Sequence, residues 1–490
     1  MGYFLDDIYV SSFHEKQSSA WASFRLALDG IAHRPFRTAL DLGCGLGTTA
    51  ILDSLVTDCV WDGIDLNPDQ VFRASRYGAA LDLESSFLLG QFEDVIASGK
   101  QYDYIAAHGI LTWVSDASRL QLFQVIKKLL RPGGVVFLSQ NTPFGWSHLQ
   151  PVRELFYLLH REKPAISLTE KLNEVQSFVE GSAAFVRRYP EVVEKIEGIK
   201  KTSAKYIPHE YLNDIWDLLS FNDVESYARH ASLSFLGSAE LSYSIPSLTE
   251  KITADLGLSK NAQEDFLDAF TLRSFRSDFW VLGTGRLTNI EWARGLFNYE
   301  FFLGENPKLT KKFQTVFGTI EVRADLYDPY FNQLKTAGSL DHDFLLGQIN
   351  SSGIRVVTEI LKVLILTGDL QWKLQSNKDE RIEATNKILV DSWHLSSDSN
   401  YLISRKTHRP EKVDPLEILT YLENTKNDQP EIALADRVAN RIMKYGMTLF
   451  RGPDEQKLPV NELVARRLKT FSKERASFAN YHGLESAFVE

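Results

Sequence analysis

Apolar residues recur every third or fourth position over 18–31, where Trp21, Phe24, Leu28 and Ile31 share one face, so an amphipathic helix is expected to open the fold. Short apolar runs then alternate with helical patterns. Strands are expected at Thr38–Leu42, Val60–Ile64, Phe87–Leu89, Tyr104–Ala107 and Val135–Ser139, and helices at Thr48–Leu55, Pro68–Ala80 and Arg119–Leu130. Strands separated in this way imply βαβ units, a parallel sheet with helices on both faces. After about Trp146 the period changes. Residues 150–232 read as almost wholly helical, most clearly at Val152–His160, Leu168–Arg188 and Glu210–Leu219. A mixed stretch follows, strand-like at Phe235–Ser242 and Phe279–Gly283 and helical at Ala262–Arg273. From 305 onward helices predominate, with short strands such as Val316–Val322, and the charge-rich run Gln375–Glu383 reads as a solvated linker. The pattern divides the chain into a sheet-forming segment 1–148, a mostly helical middle segment 149–300 and a mixed, mainly helical C-terminal segment 301–490.

Composition narrows the class. A chain of 490 residues is too long for one core, and two to four domains are expected. Hydrophobic and charged contents of 44% and 24% are those of an ordinary soluble protein. A formal charge of −10 without a long Lys/Arg run argues against binding nucleic acid and favours a basic partner. The two cysteines, Cys44 and Cys59, cannot build a disulfide framework or a cysteine-rich zinc site, which suits a reducing, cytoplasmic compartment. The first residues lack the basic flank and apolar core of a signal peptide, and Val356–Thr367, broken by Glu359 and Lys362, is too short to cross a bilayer.

The chemistry concentrates in Asp41-Leu42-Gly43-Cys44-Gly45-Leu46-Gly47, a strand end breaking into a glycine-rich turn before a helix. The spacing differs from the G-x-G-x-x-G that cradles a pyrophosphate. It suits a ligand with an amino-acid tail, whose carboxylate meets backbone N–H groups and whose ammonium meets Asp41; S-adenosylmethionine is such a ligand. Asp65 ends the second strand, 22 residues after Gly43, where a carboxylate can accept both ribose hydroxyls or merely brace the turn that Asn67 caps and Pro68 begins. At the third strand's end one of Gln91, Glu93 and Asp94 is expected to contact the adenine.

Together these residues resemble the class I S-adenosylmethionine-dependent methyltransferases, which implies a Rossmann-like sheet. A closer likeness comes from Tyr102–Ser115, with its His108-Gly109 and Trp113, from Ser139–Trp146, and from Tyr206–Leu212 and Leu272–Arg276. These stretches resemble bacterial methyltransferases that carry a methyltransferase regulatory domain, a family whose best-known members are rickettsial protein-lysine methyltransferases. Leu111 and Thr112 depart from the Tyr and Ser usual there. The expected donor-binding set is Tyr9, Asp41, Gly43, Gly45, Gly47, Asp65, Leu66, Gln91, Phe92 and His108; Tyr3 and Tyr9 are a lid over the donor or plain packing.

The acceptor side is expected to involve His108, Trp113 and Asn141. His108 is the general-base candidate or a structural histidine. Trp113, Phe144 and Trp146 are walls of an aromatic pocket or ordinary packing. Asn141 positions a substrate or turns the chain. Arg273 and Arg276, on an expected helix end, clamp a carboxylate or form a structural ion pair. His209-Glu210 and His14-Glu15 lack the partner of an H-E-x-x-H pair, so no metal is expected. The leading reading is methylation of a protein lysine. Alternatives are O- or N-methylation of a small molecule or glycan, and a non-catalytic donor-binding sensor or scaffold. No nucleic acid and no membrane insertion are expected. The helical middle segment offers a surface for a homodimer, although no heptad run marks one.

Overall fold

The computed structural model describes residues 12–201, 206–283, 285–375, 379–395, 400–426, 434–444, 458–469 and 482. Helix α1 (Ser19–Asp29) starts where the Ser18 side chain accepts the Trp21 N–H at 3.1 Å and stops at Gly30 in a left-handed conformation. Five strands then alternate with helices: β1 (Thr38–Leu42), α2 (Thr48–Val56), β2 (Val60–Asp65), α3 (Pro68–Ala80), β3 (Phe87–Leu89), β4 (Tyr102–Ala107), α4 (Asp116–Leu129) and β5 (Leu130–Asn141). Asn67 caps α3 with Pro68 in its first turn, as expected. Helix α4 begins ahead of Arg119 because the Ser115 side chain caps it.

A helical excursion follows, α5 (Pro143–Trp146), α6 (Gln150–Glu162), α7 (Leu168–Gly181), α8 (Ala183–Arg188), α9 (Pro190–Lys201) and α10 (Tyr206–Tyr211). The run expected as one helix over Leu168–Arg188 breaks at Ser182, whose side chain caps α8. The helix expected at Glu210–Leu219 ends at Tyr211. Beyond it the backbone bonds elsewhere: Asp217 N–H to the Thr112 carbonyl and Leu219 N–H to the Asn141 carbonyl, each at 2.9 Å, with Asp217 also paired to Arg119. These tertiary bonds replace helical ones at the sheet's edge.

The chain then returns to the sheet through α11 (Phe221–His230), β6 (Ser234–Ser238), α12 (Pro246–Thr253), α13 (Lys260–Phe270) and β7 (Phe275–Val281). The seven strands run in the order β3-β2-β1-β4-β5-β7-β6, with β7 antiparallel to both neighbours and the other pairs parallel. Two strands therefore come from beyond residue 148, and the sheet spans the division expected there. Alternation along the strands splits the core in two. Leu40, Leu42, Ile105, Val136 and Leu138 face one layer, and Ala39, Tyr104, Ala106, Val135 and Phe137 face the other.

The C-terminal part adds α14 (Asn289–Leu296), β8 (Tyr299–Leu303), β9 (Lys312–Thr315), β10 (Gly318–Glu321), α15 (Ala324–Ala337), β11 (Ser339–Leu340), α16 (His342–Ser352), α17 (Ile354–Leu366), β12 (Leu370–Leu374), α18 (Asp379–Asp391), β13 (Tyr401–Ile403), β14 (Pro410–Lys412), α19 (Pro415–Lys426) and α20 (Leu434–Lys444). The strand expected at Val316–Val322 is the turn and second arm of the β9–β10 hairpin. The expected linker Gln375–Glu383 enters α18, whose Ile382 and Leu389 pack with Ile51, Leu52, Tyr77 and Leu81 of α2 and α3. Its only apolar side chain, Ile382, is one a purely solvated loop would not bury. Phe24 of α1 stacks on Trp372 at 3.8 Å, fastening this part to the sheet domain. Among the described residues no helix is long and apolar enough to cross a membrane.

Candidate active site

The carboxyl ends of β1, β2, β4 and β5 open into one cavity of about 580 Å³. Parallel sheets bind ligands at this edge because successive strand-to-helix turns converge there. Of the expected residues, Gly43, Gly45, Asp65, Leu66, Gln91, Phe92, His108, Trp113 and Asn141 line it. Asp41 and Gly47 do not, and Tyr3 and Tyr9 lie outside the described residues.

Gly47 has a packing role. It opens α2 with φ at 65°, and a Cβ there would stand 2.6 Å from the Phe87 ring. The turn's N–H groups are also engaged within the protein. Those of Gly43 and Cys44 donate to the Ile64 carbonyl at 2.8 and 3.0 Å, that of Gly47 to the Cys44 carbonyl at 2.8 Å, and that of Gly45 to Asp65 Oδ2 at 2.8 Å. The N–H groups of Gly43, Cys44, Gly45 and Gly47 thus each have an acceptor within the protein.

Asp65 does brace the turn. Its Oδ1 accepts the Asn67 N–H at 2.9 Å while Oδ2 holds Gly45. Each oxygen keeps a second lone pair for a hydroxyl. Burial raises its pKa against these backbone donors. Asp41 is buried behind the turn, and its Oδ1 has no hydrogen-bond partner among the described residues. Burial pushes its carboxyl up to about 7, a Gln17 side-chain hydrogen bond opposes the rise, and the Asp65 charge adds to it. An orphaned carboxylate oxygen at the end of β1 fits an ammonium group. At the third strand's end Asp94 accepts the Gln91 N–H at 2.7 Å and so serves the local turn; Gln91, not Glu93 or Asp94, reaches the cavity.

His108 ends β4. Its Nδ1 lies 2.9 Å from the Ser139 hydroxyl, which also accepts the Gly109 N–H at 2.8 Å. Burial drives its pKa well below the usual histidine range, with charge on His14 and Lys16 acting the same way. The His14 ring lies 4.1 Å from it, centroid to centroid. His14 lines the same cavity, and burial pulls its pKa down to about 4. Sequence reasoning weighed His14 only as a metal ligand; its distance in the chain from every motif hid it.

The far wall comes from the helical excursion and β7. Trp146 lines the cavity with its ring edge-on to Tyr211 and Trp216, at 6.0 and 5.6 Å. His209 and Glu210 of α10 and Ser274 and Phe275 at the start of β7 complete the lining. Phe144, an expected wall, does not line it. Asn141 accepts the Leu219 N–H at its carbonyl and donates its own N–H to Thr112 Oγ1 at 3.0 Å. Gly145 makes the junction between these walls, since a Cβ would fall 2.4 Å from Ser274 Cα.

The expected helix end at Arg273 and Arg276 is also corrected. The helix stops at Phe270, and Arg276 lies on β7. Both guanidinium groups face inward. Arg276, fully buried, pairs with Asp268 at 2.9 Å, Glu264 at 2.6 Å and Asp278 at 2.5 Å; Arg273 bonds Ser238 Oγ at 3.0 Å and lies 3.9 Å over the Tyr243 ring. They form a structural ion network that ties α13 to β6 and β7. Among the described residues no cluster of three metal-ligating side chains occurs.

A sheet with six strands in one sense, a reversed β7, and a glycine turn followed by an acid at the end of β2 define a class I S-adenosylmethionine-dependent methyltransferase. Residues 39–134 match the methyltransferase domain family, and residues 203–282 match the family described as predicted methyltransferase regulatory domain. The chain is thus an S-adenosylmethionine-dependent methyltransferase carrying a methyltransferase regulatory domain. It is 26% identical over 429 residues to an uncharacterized protein of Synechocystis sp., covering 84% of this chain and 85% of that one. A sterol 24-C-methyltransferase of Pneumocystis carinii is 24% identical over 262 residues, half of this chain and 67% of its own. Among solved structures, PKMT2 from Rickettsia typhi shares the fold, with a TM-score of 0.65 at 18% identity over 97% of this chain and 99% of that one. Its complex with AdoHcy gives a TM-score of 0.63 at 17% identity, over the same shares of the two chains. The regulatory-domain match contains β6, β7, His209, Glu210 and Phe275, so it closes the catalytic sheet and supplies one wall of the cavity.

Proposed function

We propose that the acceptor is a lysine side chain of a protein. The observation that carries this reading is the aromatic lining opposite the donor turn: Trp146 and Phe275 of the far wall and Trp113 beyond β4, with a single acid among the far-wall residues, Glu210. A lysine arrives as an ammonium. Aromatic faces and a carboxylate attract it, and the desolvated pocket then favours the neutral amine that attacks. S-adenosylmethionine supplies the electrophilic methyl group. Asp65 holds its ribose, Asp41 its ammonium, and Leu66, Gln91 and Phe92 its adenine. With the N–H groups of Gly43, Cys44, Gly45 and Gly47 engaged, His108 offers its ring N–H to the donor's carboxylate. Asn141 aligns the acceptor. The main catalytic contribution is alignment and exclusion of water. The likeness to rickettsial protein-lysine methyltransferases in the Tyr102–Ser115 and Ser139–Trp146 motifs supports the same reading, as do the helical and C-terminal segments, larger than a metabolite requires. The division into 1–148, 149–300 and 301–490 is kept as an assignment of roles: donor binding, acceptor binding and support. A cytoplasmic site of action fits the two buried free cysteines.

The test incubates the protein and labelled donor with whole-cell protein extract, then reads S-adenosylhomocysteine release and methyl-lysine by mass spectrometry. Methyl-lysine above a boiled-enzyme control is expected. Turnover confined to a desalted small-molecule fraction would overturn the reading.

A further inference from the structure

We infer that the segment Phe13–Gln17 is a wall of the donor site, with His14 and Gln17 as its two donor-site residues, and that the C-terminal part sets donor affinity by holding this segment through Tyr401 and Arg409. The segment is short, a 3-10 turn at Glu15–Gln17 ahead of α1, and has no core of its own. Beyond its own turn hydrogen bonds and a Lys16–Glu240 ion pair at 2.8 Å, it is held from its two sides.

On the cavity side it touches the site twice. The His14 ring lines the cavity against His108, and the His14 N–H donates to Thr49 Oγ1 at 3.0 Å in the first turn of α2. Gln17 is buried and its carbonyl accepts the Tyr104 hydroxyl at 2.8 Å, while its side-chain amide acts on Asp41 by lowering a pKa that burial raises. The other titratable groups around Asp41 are Asp65 of β2, Cys44 of the turn and Tyr104 of β4; burial raises the pKa of all three and keeps the last two neutral. Among these neighbours Gln17 is the one that favours the ionised form.

On the opposite side the segment is tied to the C-terminal part. Phe13 N–H donates to the Tyr401 hydroxyl at 2.9 Å, and the two rings meet edge-on at 6.2 Å. Arg409 pairs with Glu15, bonds Gln371 and lies 5.1 Å over Trp372. Neither Tyr401 nor Arg409 lines the cavity. Releasing either anchor frees the segment, and binding must then restore its order at an entropic cost.

The test measures S-adenosylhomocysteine binding to the full-length protein by calorimetry from pH 6 to 9. Gln17→Leu keeps the size and removes the amide. It is expected to weaken binding about tenfold at neutral pH, the loss of one hydrogen bond to a charged group, and to move the acid limb of binding to higher pH. A purely structural Gln17 would leave that limb in place. Tyr401→Phe and Arg409→Gln are each expected to weaken binding by about threefold or more with the fold intact by circular dichroism. Wild-type affinity in both overturns the coupling to the C-terminal part. An unmoved acid limb in Gln17→Leu overturns the role of Gln17. Should Gln17→Leu fail to fold, Tyr401→Phe decides, because it removes a single hydroxyl.

Discussion

The Ser139 hydroxyl is 2.9 Å from Nδ1 of His108 and accepts the backbone N–H of Gly109 at 2.8 Å. With one lone pair taken by Gly109 and no other acceptor among the described residues, the Ser139 proton goes to Nδ1. His108 then carries its own proton on Nε2 and acts as a donor. That places it poorly as a general base. In nitrogen-15 spectra of histidine-labelled protein, the resonances lost in His108→Gln are expected to show the Nε2–H tautomer, with no titration in the usual histidine range. A midpoint near 6.5 would return His108 to the base role.

Asp65 is predicted to be indispensable for the donor. Its carboxylate braces Gly45 and Asn67 and keeps a lone pair on each oxygen for the ribose. Asp65→Ala is expected to weaken S-adenosylhomocysteine binding by roughly a hundredfold, the equivalent of one or two hydrogen bonds to a charged group. Calorimetry checks this, and unchanged affinity would leave Asp65 a turn brace only.

Asp41 is predicted to make donor binding pH-dependent. Its folded-state pKa is raised from 3.8 to about 7. The stability it contributes is therefore full below 3.8 and lost as pH rises through about 7. A bound ammonium favours the carboxylate, so affinity for S-adenosylhomocysteine is expected to fall as pH drops below 7, approaching about tenfold per pH unit, with proton uptake by the buffer. Asp41→Asn should flatten this dependence. A sloping profile in that variant would assign the proton elsewhere.

Two glycines are predicted to act through packing. Gly47→Ala combines a left-handed backbone with a Cβ 2.6 Å from the Phe87 ring, and Gly145→Ala puts a Cβ 2.4 Å from Ser274 Cα. Each is expected to cost about 2–4 kcal/mol in denaturant unfolding. Near-wild-type stability in either would show that the neighbouring loop yields.

The Arg276 network is predicted to be structural. Burial opposes the Arg276 charge, but Asp278, Asp268 and Glu264 prevail and raise its pKa, while burial lifts Asp278 to about 6 despite the arginines. Arg276→Met strands buried carboxylates and is expected to cost about 3–5 kcal/mol. Thermal unfolding measures it. A donor-binding defect with unchanged stability would instead favour the carboxylate clamp considered from sequence.

The cavity edge at β1 and β2 was legible because its parts are local. The Asp41–Gly47 turn, Asp65 and the Asn67-Pro68 helix start each lie within a few residues at a strand's end, where hydrophobic period and turn chemistry register directly. The same locality explains the errors. Glu210–Leu219 carries a helical pattern, yet its backbone bonds go to Thr112 and Asn141, partners about 80 to 100 residues away. His14 reads as an isolated histidine until the fold lays it on His108.

By itself the sequence determined the alternation of strands and helices, the glycine turn at the end of β1 and the acid that follows it, since these depend on neighbours along the chain. Only the tertiary structure decided that β6 and β7 from the middle of the chain complete the sheet, that Glu210 and Phe275 wall the cavity, and that the N–H groups of Gly43, Cys44 and Gly45 already have acceptors on β2. It alone decided that Phe13–Gln17 stands between Asp41 and Tyr401. The physical reason is common to all four. Each rests on hydrogen bonds and burial between groups far apart in sequence, and no local pattern encodes which distant partner a buried group will find.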